Sequence, residues 1–256
     1  MVPLPSPTQV VEAFHLAFLR VLEARIDRSR YVVKGGVNLR AWFGSARYSQ
    51  GLDLDLLRGE SFDLREKVRA LLVAPAFQSL LRAQRIVVTR TTTPKQTETT
   101  QRWKFLLAAA GHATPLPTKI EFSRRRSTEE YAFEPARAEI VRPYGIPVPT
   151  ANHYTAAAAI RQKIGALAGR REIQARDVWD LDHLFRTTGA EARPLPPAIA
   201  RLLDIALERV LELPYDAFRA QVVPYLAADH QELCGTPEAW QRIQELVVGR
   251  LLELKP

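Results

Sequence analysis

The amino-acid sequence predicts an α+β fold, a mixed sheet with helices followed by a C-terminal helical domain. Three observations carry that reading. Runs of period-two alternation recur in the first half, the strictest being Leu52-Asp53-Leu54-Asp55-Leu56. The second half has apolar residues only at helical spacing. Between them, Pro143-Tyr144-Gly145-Ile146-Pro147-Val148-Pro149 holds three prolines and a glycine and cannot be a helix. The expected division is 1–148 for the sheet-bearing core and 149–256 for the helical domain.

The elements follow in order. Residues 10–25 carry Val11, Phe14, Leu16, Phe18, Leu19 and Leu22 at helical spacing, an amphipathic helix. Tyr31-Val32-Val33 is a short strand running into Lys34-Gly35-Gly36, with a short helix expected over 37–43 and a turn at Gly44-Ser45. Residues 52–57 form a second strand, paired with the first. A helix is expected over 62–72 and strands over 85–90, 102–107 and 119–122. The threonine-rich stretch 91–101 reads as a loop or hairpin tip. Helices are then expected over 151–168, 176–185, 198–213, 215–228 and 237–254, the last with Thr236 as N-cap before Pro237.

With 256 residues, 46% of them hydrophobic, the chain can bury a core. Its single cysteine, Cys234, excludes an internal disulfide and argues against a cysteine zinc site. No run approaches the roughly 18 apolar residues of a membrane span, and no signal peptide is seen, so a cytoplasmic protein is expected. The net charge is +8, and only seven of the 36 basic residues are lysine. Arginine forks phosphate and stacks on bases, which suits RNA or nucleotide binding, although genomic base composition can produce the same bias.

In a strand, alternate side chains share a face, so Asp53 and Asp55 project together, roughly 7 Å apart, while Leu52, Leu54 and Leu56 face the core. Two ionised carboxylates side by side repel unless a cation bridges them. Mg²⁺ binds through one or two carboxylates plus substrate phosphates, so the pair suits a metal–NTP site; a solvated strand face is the plainer alternative. Upstream, Gly35 and Gly36 lie between a strand and a helix, where the backbone can approach a triphosphate and the helix N-terminus offers N–H donors. A strand–Gly-Gly–helix unit followed by an Asp-x-Asp strand is the outline of a polymerase-β-like nucleotidyltransferase core. Glu121, in Lys119-Ile120-Glu121-Phe122, is either a third metal ligand or general base, or a surface glutamate paired with Lys119 or Arg124. Arg124-Arg125-Arg126 reads as an RNA-phosphate contact or a solvated charge run. His112, His153 and His183 have no metal-ligand spacing, and Ser49 has no His/Asp arrangement around it for nucleophilic hydrolysis.

Several motifs then resemble the AbiEii-type nucleotidyltransferase toxins, a family that includes the mycobacterial MenT-type toxins. They are Lys34-Gly35-Gly36-Val37-Asn38-Leu39-Arg40, Phe43-Gly44-Ser45, Arg47-Tyr48-Ser49 and Leu52-Asp53-Leu54-Asp55 in the first half. In the second half they are Lys163-Ile164, Ala166-Leu167, Arg170-Arg171 and Ala175-Arg176-Asp177-Val178-Trp179-Asp180-Leu181. The resemblance implies a Mg²⁺-dependent transfer of a nucleotide from an NTP to RNA, notably the 3′ end of tRNA, and a cognate antitoxin as partner. It implies Asp53 and Asp55 as metal ligands, with Lys34, Gly35, Gly36, Arg47, Ser49 and Arg170 binding nucleotide. Arg124, Arg125, Arg126 and Arg171 are the expected RNA contacts. Related sequences commonly read Ser-x-Asp-x-Asp, and here Gly51 stands at the first aspartate. Either the metal pair is Asp53 and Asp55, or Asp53 has lost its partner.

If one helix ran through, Lys163, Arg170 and Asp177 would share a face; Gly169 can instead break it in two. Lys163 is expected to face the NTP phosphates, or else to be a surface lysine. Asp177 is a base, a metal ligand through water, or a partner holding Lys163. Two rival functions stay open: nucleotidyl transfer to a protein or small molecule, and a degenerate copy that binds nucleotide or RNA without turnover.

Overall fold

A computed structural model of the protein describes residues 4–58, 61–124, 128–189 and 192–255. The chain divides into two compact units, one of Met1–Gly44 and Tyr48–Tyr154, the other of Ser45–Arg47 and Thr155–Pro256. In the first unit the elements run α1 (Pro7–Leu22), β1 (Tyr31–Lys34), α2 (Gly35–Phe43), β2 (Gly51–Leu56), α3 (Ser61–Leu72), α4 (Pro75–Ala83), β3 (Ile86–Gln96), β4 (Thr100–Ala109), β5 (Leu116–Ser123), β6 (Tyr131–Pro135), α5 (Ala138–Val141) and β7 (Thr150–Tyr154).

All seven strands form one mixed sheet, in the order β3-β4-β5-β2-β1-β7-β6. β1 pairs antiparallel with β2, whereas β2–β5 and β1–β7 are parallel. The strand alternation is realised: Tyr31, Val33, Leu52, Leu54, Leu56, Ile120 and Phe122 join one buried apolar cluster with Phe14, Phe18, Leu22, Phe77 and Leu81 of α1 and α4. Phe14 meets the Phe77 ring edge-on at 5.7 Å. Each such side chain contributes roughly 1.5–3 kcal/mol by leaving water. The opposite face of the same strands carries the charged residues.

Several elements differ from their sequence reading, for local reasons. α1 starts at Pro7 because Ser6 and Gln9 form a reciprocal capping box. α4 was not expected; Pro75 opens it, and Phe77 and Leu81 are its buried residues. The threonine stretch is mostly strand, since threonine suits a pleated, half-exposed surface. Only 97–99 turn, with Thr97 Oγ1 bonded to the Thr100 backbone. The segment 151–154, expected to open a helix, is strand instead. It pairs with β1 and β6 and carries Asn152, His153 and Tyr154 into the interior. The first unit therefore runs to Tyr154 rather than 148, and the proline segment lies within it.

In the second unit Thr155 caps α6 (Ala156–Gly169) through Ala158 N–H. Then come α7 (Ala175–Thr187), α8 (Pro197–Ala200), α9 (Leu203–Glu212), α10 (Tyr215–Gln221), α11 (Ala228–Cys234) and α12 (Pro237–Glu253). The expected helix 198–213 divides into α8 and α9. The expected helix 215–228 ends at Gln221, and a 3₁₀ turn containing Pro224 follows. Thr236 caps α12 as read. In this unit's core Phe218 stacks on Trp240 at 4.7 Å and meets Trp179 at a tilt, at 6.0 Å. Among the described residues no helix is long and apolar enough to cross a membrane.

His15 lies wholly inside the first unit's core. Thr118 Oγ1 donates to the Gln50 carbonyl, so its lone pair accepts from His15 Nε2–H at 2.8 Å. Burial drives the His15 pKa down to about 3, against an opposing pull from Asp53. A histidine depressed in the native state binds its proton first in the unfolded chain. Its contribution therefore makes stability fall as pH drops from the unfolded pKa of about 6.5 toward 3, by at most about 1.4 kcal/mol per pH unit. Urea unfolding from pH 7 to pH 4 should show this loss, and His15→Gln should flatten the profile in that window. Parallel profiles for the two proteins would refute the assignment.

Candidate active site

The carboxylate pair is where the strand geometry puts it. Lys34 pairs in register with Asp53 across β1–β2, and Asp53 pairs with Glu121 across β2–β5, so Lys34, Asp53, Asp55, Glu121 and Ser123 share one face. Gly35 opens α2 with φ +69°, a conformation that side-chain-bearing residues adopt only at about 1–2 kcal/mol. A Cβ placed on Gly35 would lie 3.5 Å from Asp53 Oδ2. The Asp53 carboxylate therefore faces the glycine bend rather than turning from it.

Asp55 is buried and held from three directions. Its Oδ1 accepts from Ser123 Oγ at 2.6 Å and from the Lys34 ammonium, which also donates to Ser123 Oγ at 2.7 Å. Its Oδ2 accepts from the Tyr154 hydroxyl at 2.8 Å. Asp53 is more open, and its Oδ1 accepts from Lys119 Nζ at 2.7 Å. Glu121 is paired with Arg102 and lies 3.9 Å from Lys119 Nζ.

The donor set fits Mg²⁺. Both aspartates offer hard oxygen; a carboxylate has about four acceptor positions, and three donors occupy three of those of Asp55, leaving one. Among the described residues no group of three or more His, Cys, Asp or Glu side chains gathers as a metal cage. Two carboxylates completed by phosphate oxygens and water is the usual magnesium arrangement.

The second unit has its own buried charge network. Arg47 grips Asp180 through two nitrogens, at 2.9–3.0 Å. Lys163 Nζ lies between Asp177, at 2.8 Å, and Asp180. Arg170 Nε closes the chain on Asp177 at 2.7 Å. Burial alone would lower the Lys163 pKa, but Asp177 and then Asp180 outweigh it, and the net shift is upward. For Asp180 burial pushes up, and Arg47 and Lys163 more than reverse it.

The sequence-named residues thus fall into groups. Lys34, Gly35, Asp53, Asp55 and Glu121 come together in the first unit. Lys163, Arg170 and Asp177 come together in the second, joined by Arg47, which was expected at the nucleotide and is instead buried on Asp180. Of the three roles open to Asp177, the one seen is partner to Lys163. Ser49 donates to the Gly51 carbonyl at 2.7 Å. Arg124 donates to the Glu98 carbonyl and to Gln101. Arg171 is exposed, and Arg125 and Arg126 lie outside the described residues. Lys119, named as a possible partner of Glu121, lies 3.9 Å from it and closer to Asp53. Sequence reasoning missed Ser123, Tyr154, Arg102 and Asp180 as members of these groups. Ser123 was findable, two residues past Glu121 on the same strand face, and so was Asp180, three past Asp177 on one helix face. Tyr154 had no such signal, because it was read as helical.

Comparison with known proteins follows from these features. The family model described as "Nucleotidyl transferase AbiEii toxin, Type IV TA system" matches residues 17–245. Sequence comparison with curated proteins gives no match. Among solved structures, JHP933 from Helicobacter pylori is 17% identical, with a TM-score of 0.61, over 98% of this chain and 96% of that one. MenT4, a nucleotidyltransferase toxin from Mycobacterium tuberculosis H37Rv, is 17% identical, with a TM-score of 0.61, over 98% of this chain and 94% of that one. At that identity the two structures speak for the fold.

The buried network predicts an asymmetry. Asp180→Ala leaves Arg47 and Lys163 short of a shared counter-ion and should cost about 3–5 kcal/mol in urea unfolding. Arg170→Ala removes a partly exposed partner and should cost under about 1 kcal/mol. Equal effects would mean that Asp180 is not the centre of the network.

Proposed function

The chain belongs to the AbiEii family of nucleotidyltransferase toxins of type IV toxin–antitoxin systems, and on that premise we propose that it transfers a nucleoside monophosphate from an NTP to RNA, at the 3′ end of tRNA, with Mg²⁺. The observation that carries the reading is the pair Asp53 and Asp55 on one face of β2, with Asp53 Oδ2 turned to the Gly35 bend. The fold shared with MenT4, a nucleotidyltransferase toxin, supports it.

In the proposed reaction the acceptor hydroxyl attacks the α-phosphorus and releases its proton to solvent water. A phosphodiester bond forms, and the bond from the α-phosphorus to the β-phosphate bridging oxygen breaks so that pyrophosphate leaves. Asp53 and Asp55 are the proposed Mg²⁺ ligands, and bound Mg²⁺ supplies positive charge to the triphosphate. Gly35 and Gly36 let the backbone N–H groups that open α2 approach phosphate without a side chain in the way. Ser123 and Tyr154 fix the Asp55 carboxylate, and Lys34 offsets its charge. Paired with two cations, Glu121 is proposed to anchor Lys119 rather than to take a proton. In the second unit Asp177 is proposed to hold Lys163 and Arg170 in place. The +8 net charge favours a polyanionic acceptor, and exposed Arg171 is a proposed phosphate contact. Family membership supports a cognate antitoxin as partner, and a cytoplasmic site of action is proposed with it.

Incubation with α-labelled NTPs, Mg²⁺ and total tRNA should label tRNA with at least one of the four nucleotides. Chelation should abolish the product, and Asp53→Asn should lower the rate about a hundredfold or more. Label in protein instead of RNA would move the acceptor. No labelled product with any NTP would sink the proposal.

A further inference from the structure

This inference rests on the magnesium–NTP reading above and concerns Gly51. Gly51 opens β2 and pairs in register with Lys119 of β5. A Cβ built on Gly51 would fall 2.6 Å from Lys119 Cγ and 2.9 Å from its Cε, and 3.2 Å from its backbone oxygen. Non-bonded carbons do not approach so closely, since contact begins at about 3.5–4.0 Å. The Lys119 stem therefore lies flat across the glycine, and any side chain there would displace it.

That path delivers the ammonium to one place. Nζ is 2.7 Å from Asp53 Oδ1 and 3.9 Å from Glu121 Oε2. Asp53 and Glu121 are directly opposed across β2–β5. Two facing carboxylates call for a cation, and in two-metal sites a second divalent ion meets that demand. As a surface pair Lys119–Asp53 would be worth little, because both side chains are about one-third exposed. The glycine, however, sets the route of the stem, and the neighbouring carboxylate gives the charge a second anchor. Arg102 holds Glu121 from the β4 side, so Lys119 is the cation that lies between the two carboxylates. We infer that Lys119 occupies the position a second divalent ion would need between Asp53 and Glu121, that Gly51 is the residue that makes room for it, and that the site consequently takes one divalent ion rather than two. Lys119 acts here as a positioning residue, holding Asp53 while that carboxylate meets the ion.

Mn²⁺ titration followed by electron paramagnetic resonance tests this without any turnover. The wild type should bind one Mn²⁺ per chain. Lys119→Met should bind two, and so should Gly51→Ala, which displaces the lysine without removing it. Lys119→Arg, which keeps the charge, should bind one. Lys104→Met removes an exposed lysine in register with Lys119 and should also leave the number at one. Melting curves on the same samples identify folded protein; should Lys119→Met fail to fold, Gly51→Ala carries the same expectation. Two ions in the wild type, or one in both Lys119→Met and Gly51→Ala, overturns the inference while leaving the magnesium reading intact. No bound Mn²⁺ in the wild type or any variant overturns both.

Discussion

Two aspartates at alternate positions of one strand put like charges roughly 7 Å apart on one face, and the neighbouring strands supply the groups that make that tolerable. At an effective dielectric of about 20, two unit charges roughly 7 Å apart repel by about 2 kcal/mol, a sizeable part of a domain's net stability. The compensation is distributed over three neighbouring strands. β1 supplies Lys34, β5 supplies Lys119 and Ser123, and β7 supplies the Tyr154 hydroxyl. β2 must therefore sit between β1 and β5, with β7 beyond β1, and the sheet order is that arrangement. The leucines on the other face of β2 supply the apolar burial that fixes the register, because a one-residue slip would turn the aspartates into the core.

The second unit solves a related problem with deeper burial. Asp177 and Asp180 are one turn apart on α7 and fully buried. Lys163 between them, with Arg47 and Arg170 at the outer ends, converts two isolated charges into a chain of ion pairs. Buried ion pairs contribute little net stability relative to apolar packing, but losing one partner is costly. Such a network fixes which residues must neighbour one another. It also accounts for Ser45–Arg47 belonging with the helices, since the Arg47 guanidinium is bound to Asp180.

What was legible in the sequence follows from range. The Asp-x-Asp pair, the three leucines and the Gly-Gly bend are encoded within one or two residues of one another, and period-two geometry recovers them. The destination of Lys119, the pairing of Arg47 with Asp180 and the bond from Tyr154 to Asp55 join residues 66, 133 and 99 positions apart. No local pattern announces them. Tyr154 was hidden further because Ala151 and the alanines after Thr155 extend a helical composition back across a strand. The threonines of β3 were hidden by polarity, which marks loops only when the residues are not β-branched.

Charge on the candidate face explains why these long-range partners matter for substrate as well as for folding. Asp53, Asp55 and Glu121 carry three negative charges, and Lys34, Lys119 and Arg102 pair with them one for one. Without the cations the face would repel the triphosphate it is proposed to hold. With them, carboxylate oxygen is available to the proposed metal ion and the cluster's own negative charge is offset toward the anion that would accompany it. A second metal ion at Asp53 and Glu121 would have to displace Lys119, whose stem is already seated on Gly51. Gly51 on β2 and Lys119 on β5 thus fit together, since a side chain at 51 would take the space of the lysine stem.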